Sequence, residues 1–321
     1  MSFIKRAASF GITVALLVAP VIVYLNRQNL YDWWRLRGYS APTEVVELAT
    51  QTTMDKQATK IFYVARPQLQ ARADFQASCT VNEQTIVLGC YRSRVGIFVY
   101  NVTDSRLQGV EQVTAAHEML HAAYERLNAK QRAHVDELTE AAYANLHDDR
   151  ITKNIDAYRS RDPSVVPNEL HSILGTEVRT LPKELEDYYK QYFIDRQKIV
   201  GFSEQYEGEF TSRENAVVQY DAQLKSLKAA IDASNASLEA QGKAIDSDSS
   251  QLQALLNAKN ISAYNSGIPH YQTLVNAYNS DLAVLKKNIN QYNNIVEKRN
   301  AIATEEQQLL NAIDTRVPAT R

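Results

Sequence analysis

The residues with the clearest chemistry are His117, Glu118 and His121, in the sequence His-Glu-Met-Leu-His. On a helix, residues four positions apart lie on one face, so both imidazoles can reach the same ion. Neutral imidazole nitrogens bind zinc at about 2.0–2.1 Å in tetrahedral sites. Glu118, one step further round the helix, can take a proton from the water that the metal activates. The spacing therefore predicts a zinc site with Glu118 as general base.

The residues that flank this motif, from Val113 to Tyr124, carry no charge outside the motif itself. Such a helix can be buried beneath an active site, and strand-like sequences precede it at 85–91 and 95–102. This HExxH helix, with a sheet upstream, resembles the zincin superfamily of metallopeptidases over residues 60–195. The resemblance implies a zinc metallopeptidase that hydrolyses peptide bonds in a protein or peptide substrate.

A catalytic zinc site usually has three protein ligands, so one more is expected outside the motif. The metzincin subgroup takes its third ligand from the pattern HExxHxxGxxH. Tyr124 stands at the glycine position here and Leu127 at the last histidine position. The metzincin pattern is therefore excluded.

The gluzincin subgroup takes its third ligand from a glutamate on a later helix. Asn168-Glu169 resembles the start of that helix, although Ile173 stands where the family often has an acidic residue. We assign Glu169 as the third ligand. Glu177 is the alternative, although it falls in an apolar stripe where a carboxylate without a partner would be costly. His171 is a further candidate.

Three tyrosines in the same region, Tyr158, Tyr188 and Tyr189, could stabilise an oxyanion during hydrolysis. Aromatic side chains more often serve packing. The sequence does not choose among the three.

Residues 7–26 form an apolar run without a charge. About 20 helical residues at about 1.5 Å each span about 30 Å, the hydrocarbon thickness of a bilayer. A cleaved signal peptide has a shorter apolar core and a small-x-small cleavage site, which this run lacks. The sequence therefore predicts an uncleaved membrane anchor at 1–26, a juxtamembrane linker at 27–50 and a single-pass membrane protein.

The two cysteines, Cys79 and Cys90, flank one short segment and are the only cysteines of the chain. A disulfide between them is expected if the domain faces an oxidising compartment. The basic residues on the two sides of the apolar run do not decide its orientation. Because a disulfide needs an oxidising compartment, the cysteine pair favours an extracytoplasmic C-terminal domain.

Residues 51–200 are predicted to form an α+β zincin-like domain. Strands are expected at 60–64, 85–91 and 95–102, the last two as a hairpin. Helices are expected at 109–127, 129–145 and 168–181.

Residues 201–316 show the spacing of a coiled coil, with apolar residues every seven positions from Val217 to Leu252 and a second series from Tyr271 to Val296. Gly267 and Pro269 lie between the series, in the segment 257–270, where we expect a turn. The pattern predicts an antiparallel coiled-coil hairpin, followed by a tail at 317–321. A self-associating parallel coil is the alternative.

The composition limits the classes of partner. The chain has 321 residues, with 35 Lys and Arg against 37 Asp and Glu, and so lacks the net positive charge that nucleic-acid binding favours. We expect no nucleic-acid partner. The expected contacts are a peptide substrate, a membrane through the N-terminal helix and a protein partner through the coiled coil. The competing function is a membrane-tethered scaffold or adhesion protein with a vestigial zincin domain.

Overall fold

The computed structural model describes Pro20, residues 23–79 and residues 86–316. Helix accounts for 78% of these residues, and their one sheet has three strands. The predicted fold class, an α+β zincin-like domain behind a transmembrane helix, is therefore wrong. The described chain is predominantly helical, with a small sheet against one helix.

The described residues fall into two compact units. The first, which we call the site unit, comprises the described parts of 1–207 and 312–321. The second, the hairpin unit, comprises residues 208–311. Helix α10 begins in the site unit, and α11 ends in it.

The elements follow one another in this order: α1 Arg27–Leu36, α2 Thr43–Gln51, α3 Lys56–Val64, β1 Gln68–Gln70, α4 Arg72–Ser78, β2 Gly89–Arg92, β3 Gly96–Tyr100, α5 Val110–Glu125, α6 Ala129–Ala144, α7 Asp149–Arg161, α8 Val166–Glu177, α9 Lys183–Tyr189, α10 Arg196–Asn257 and α11 Ile261–Ile313. Short 3₁₀ turns at Ser105–Leu107 and Pro163–Val165 precede α5 and α8.

Helix α5 is the centre of the site unit. The sheet, α2, α3 and α8 all pack against it. Its small residues, such as Ala115 and Ala116, are fully buried, and so are Met119 and Leu120. Because alanine leaves little side chain between backbones, these neighbours can approach α5 closely.

The sheet has the order β1-β3-β2, with β1 parallel and β2 antiparallel to the fully buried strand β3. The predicted hairpin of the second and third strand segments is confirmed, with Cys90 opposite Phe98. The Cys79–Cys90 disulfide is also confirmed and joins the end of α4 to β2. The bond therefore ties β2 covalently to the residue that follows α4.

The strand predicted at 60–64 is wrong, because these residues end helix α3. The Asp55 side chain caps this helix by accepting a hydrogen bond from Ala58 N at 2.7 Å. Ala58, Ile61 and Phe62 are buried at helical spacing. The cap and this periodicity outweigh the strand preference of the β-branched and aromatic residues.

Residues 27–50, predicted as a linker, contribute helices α1 and α2 to the site unit. Val45 and Leu48 of α2 enter the hydrophobic core. Asp32 of α1 is 2% exposed and forms salt bridges of 3.0 Å with Lys60 and with Arg126. A buried carboxylate with two cationic partners ties α1 both to α3 and to the end of α5.

The predicted membrane anchor, 1–26, lies almost entirely outside the described residues. Within the described ranges, no helix combines the length and the apolar character needed to cross a bilayer. Helix α1, for example, has 10 residues and contains two arginines and the buried Asp32. This finding contradicts the predicted single-pass membrane localisation.

In the hairpin unit, the long parts of α10 and α11 run antiparallel. Arg299 pairs with Asp221 at 2.7 Å, and Gln241 donates to Asp281 at 2.6 Å. The heptad residues of the first series are all buried or half-buried. In the second series, Ile289 is the exception at 38% exposed.

The turn between the two arms lies at 258–260, where Lys259 has a positive φ of 58°. The breakers predicted from Gly267 and Pro269 are wrong, since both residues lie inside α11. A side chain at Gly267 would meet Leu252 Cδ2 at 2.8 Å, so the glycine permits close packing of the arms. Packing between the two long helices offsets the loss of the backbone hydrogen bond that Pro269 cannot donate.

The buried Asp32 carboxylate gives a test of whether α1 belongs to the site unit. Burial alone would raise its pKa, but hydrogen bonds from Arg126 and Lys60 hold the pKa below 3.8. Asp32→Asn should lower the free energy of unfolding in urea by about 2 kcal/mol at pH 7, because two cations lose their partner. Because the folded-state pKa is depressed, this difference should shrink as the pH falls through it.

Lys60→Gln is the matched control. Lys60 is 45% exposed and Asp32 keeps Arg126, so this variant should lose under about 1 kcal/mol. Equal stability of wild type and Asp32→Asn at pH 7 would show that α1 does not stabilise the unit.

Candidate functional site

His117 and His121 lie on the same face of α5, one turn apart. Their ring centroids are 4.7 Å apart, and the rings stand nearly at right angles, at 79°. Their side chains are 17% and 12% exposed. Both rings are thus held by packing while their edges still face open space.

Glu169 reaches the two histidines from the first turn of α8. Its Oε2 lies 3.7 Å from His117 Nε2, and its Oε1 lies 3.8 Å from His121 Nε2. The three residues offer ligand atoms that all lie within 4.8 Å of one another. Ligands of a tetrahedral zinc ion lie about 3.3–3.5 Å apart. The two Glu169–histidine distances would therefore shorten by a few tenths of an ångström round an ion, and the widest pair of the group by about an ångström or more. The residues present fit a metal ion.

Two further side chains orient the proposed ligands. Ser172 Oγ, fully buried on α8, shares a hydrogen bond of 3.2 Å with His121 Nδ1. This contact leaves Nε2 of the ring directed at Glu169 and the metal position. The Tyr158 hydroxyl lies beside Glu169 and helps to lower its pKa. Such outer contacts fix the tautomer and the angle of metal ligands.

Glu118 is 5% exposed and lies against strand β2. Burial raises the pKa of Glu118 to about 7, against the opposing effect of His121. A β-carbon at Gly89 would lie 2.4 Å from Thr114 Cγ2 and 2.8 Å from Glu118 Cγ. Glycine at position 89 is therefore required for the strand to approach the carboxylate this closely.

Glu169 has the opposite pKa shift. Burial alone would raise its pKa, but His121 and His117 beside it hold the pKa below the ordinary value. The two glutamates therefore differ in chemistry. Glu169 is a stable anion that faces two imidazoles, whereas Glu118 can hold a proton near neutral pH.

These residues line one open cleft of about 500 Å³. His117, His121 and Glu169 lie in its wall together with Glu118. Gly89, Cys90 and Tyr91 of β2 form the side of the cleft next to Glu118, and residues at the start of α8 form another. The cleft is large enough for a few residues of an extended peptide.

The other two candidates for the third ligand lie elsewhere. Glu177 forms a salt bridge of 2.7 Å with Arg150, which also binds Glu207 at 2.8 Å. His171 is fully buried, and its Nε2 shares a hydrogen bond of 2.9 Å with the Tyr188 hydroxyl. Burial lowers the pKa of His171 to about 3, so the ring is neutral. Neither residue belongs to the group formed by His117, His121 and Glu169.

Of the three tyrosines considered above, only Tyr158 lines the cleft. Tyr188 and Tyr189 pack round His171, and the Tyr189 hydroxyl donates to the His171 carbonyl at 2.6 Å. The cleft also contains or adjoins residues that the sequence does not predict, namely Ser172, Gly89 and Tyr91. No sequence motif marks these three, because they meet the site only through tertiary packing.

Comparison with known proteins assigns the chain to no family. No family model, curated protein or solved structure matches the chain. What the cleft can do must therefore follow from its own residues.

The third ligand can be identified by comparing two glutamates of α8. Glu169→Gln should weaken zinc binding by more than about 100-fold, because a neutral amide replaces the only carboxylate of the group. Glu177→Gln should leave zinc affinity within a few-fold of wild type, since its carboxylate binds Arg150. Competition with a chromogenic chelator measures both affinities in the full-length chain. If Glu177→Gln loses the metal while Glu169→Gln retains it, the assignment of the two residues must be exchanged.

Proposed function

We propose that the protein is a zinc-dependent metallopeptidase. One observation carries the proposal: two histidines and a glutamate from two helices converge in one cleft, with the Glu118 carboxylate beside them. Two imidazole nitrogens and one carboxylate form a donor set that suits zinc and leaves a position open for water or substrate. A set of this kind is typical of catalytic rather than structural zinc sites.

The zinc ion would supply a Lewis acid that polarises the scissile carbonyl and acidifies the attacking water. The protein supplies the rest of the chemistry. Glu118 accepts the proton of the attacking water and then donates it to the leaving amine. The close contact with Gly89 holds its carboxylate in one position.

A peptide is supported as substrate by strand β2. In the described sheet β2 lies at the edge, and three of its residues line the cleft. An edge strand offers backbone donors and acceptors to a further extended chain. A peptide laid along β2 would therefore pass close to Glu118.

The role of Glu118 is tested by changing it alone. Glu118→Gln should keep zinc binding, because residue 118 is not a ligand, and should lower peptidase turnover by about 10²–10⁴-fold, the usual effect of losing a proton-transfer group. Turnover is measured with a library of quenched fluorescent peptides, and the zinc content by metal analysis of the same samples.

Glu111→Gln provides the matched control. Glu111 lies on the same helix and is half-buried. It accepts a hydrogen bond from Val102 N at 2.9 Å, away from the cleft. This variant should keep wild-type turnover. A zinc-loaded wild type that cleaves no peptide in the library would contradict the peptidase proposal and favour the scaffold function. Full turnover in Glu118→Gln would reject the assigned general base.

A further inference from the structure

Arg132 is the only lysine or arginine that lines the cleft in the described part of the chain. It lies in the first turn of α6, a helix that begins with a capping box between Asn128 and Gln131. Its guanidinium lies over the Tyr124 ring, 4.9 Å from the ring centroid. Tyr124 follows His121 by three residues on α5 and also lines the cleft. The cation is thus held about one helical turn beyond the second histidine.

The charge of Arg132 is not balanced by a neighbouring carboxylate. Among the described residues its polar contact is one long hydrogen bond, 3.4 Å, from Nη2 to the Tyr124 carbonyl. Its Nε is buried without an acceptor. Asp136, four residues later on α6, accepts instead from the Tyr124 hydroxyl at 2.8 Å. A partly desolvated cation without a counter-ion favours an anionic ligand.

The acidic residues of the cleft are all held by other groups. Glu125 accepts hydrogen bonds from the Tyr91 and Ser93 hydroxyls. Glu118 lies against β2, and Glu169 faces the histidines. None of these three carboxylates forms a salt bridge with Arg132. An incoming carboxylate would therefore meet a guanidinium that is already oriented and has no competing partner.

We propose that Arg132 selects peptide substrates by binding a carboxylate of the substrate next to the cleavage site. The inference rests on the proposed peptidase function and adds a substrate class to it. A guanidinium binds a carboxylate through two parallel hydrogen bonds. Stacking on Tyr124 holds the plane of the Arg132 guanidinium in place. The carboxylate can belong to an Asp or Glu side chain or to the C-terminus of the peptide.

Binding is tested separately from cleavage, in the zinc-loaded Glu118→Gln protein. Three kinds of short peptide, all based on one sequence, serve as probes: a neutral peptide with an amidated C-terminus, the same peptide with a free C-terminus, and a set of amidated peptides in which one Glu is moved along the chain. Titration calorimetry gives each dissociation constant. At least one carboxylate peptide should bind roughly 10–100-fold more tightly than the neutral peptide, as a charge-assisted hydrogen-bond pair would give. The peptide that shows the gain identifies the source of the carboxylate.

Arg132→Gln, made in the same background, should abolish this preference, whereas Arg132→Lys should keep only part of it, because an ammonium lacks the planar fork. Arg159→Gln is the matched control, since Arg159 also lies over a tyrosine ring, Tyr143 at 5.2 Å, but does not line the cleft. It should keep the full preference. Each variant is shown to be folded by a zinc content and an affinity for the neutral peptide that are unchanged.

The outcomes separate the two proposals. A preference for carboxylate peptides that survives in Arg132→Gln, or no preference when Arg132 is present, overturns the role of Arg132. If the preference depends on Arg132 but zinc-loaded wild type cleaves none of the peptides, the carboxylate site stands and the peptidase function fails. If the wild type cleaves peptides equally well with and without a carboxylate, the peptidase function stands and the carboxylate site fails.

Discussion

The site depends on the close packing of α8 against α5. A side chain at Gly175 would meet Leu120 Cδ1 at 2.5 Å and Tyr189 Cε1 at 2.8 Å, so the two helices can approach this closely only because residue 175 is glycine. The proposed ligands are divided between these helices, two on α5 and one on α8. The distance from Glu169 to the histidines is therefore set by helix packing, and a wider separation would place the carboxylate beyond reach of a shared ion.

The other side of the cleft depends on strand β2 in a similar way. The strand lies against Glu118 through Gly89, and the Cys79–Cys90 disulfide joins it to the end of α4. Just before the strand, the Val87 carbonyl accepts a hydrogen bond of 2.6 Å from the buried Thr315 hydroxyl. Contacts from three separate parts of the sequence thus hold the strand that positions the proposed general base.

The sequence predicted what depends on local spacing and missed what depends on packing. His117, Glu118 and His121 share one helix, so their spacing alone places them together. Glu169, Glu177 and His171 all lie on α8, and only its rotation against α5 decides which one faces the histidines. The segment 60–64 failed as a strand because a cap at Asp55 and burial at helical spacing favour a helix. Pro269 failed as a breaker because the neighbouring arm stabilises the helix around it.

The polar residues on the buried face of α8 indicate that this helix serves more than stability. His171, Ser172 and Thr176 are fully buried where apolar side chains would pack as well at lower cost in desolvation. Ser172 contacts a proposed ligand, and His171 Nδ1 remains buried without a partner. Proteins depart from the rule of apolar cores mainly at functional sites. The buried polar residues of α8 lie directly beneath Glu169 and His121. Their position favours a role for this helix in holding a metal site over a role in filling the core alone.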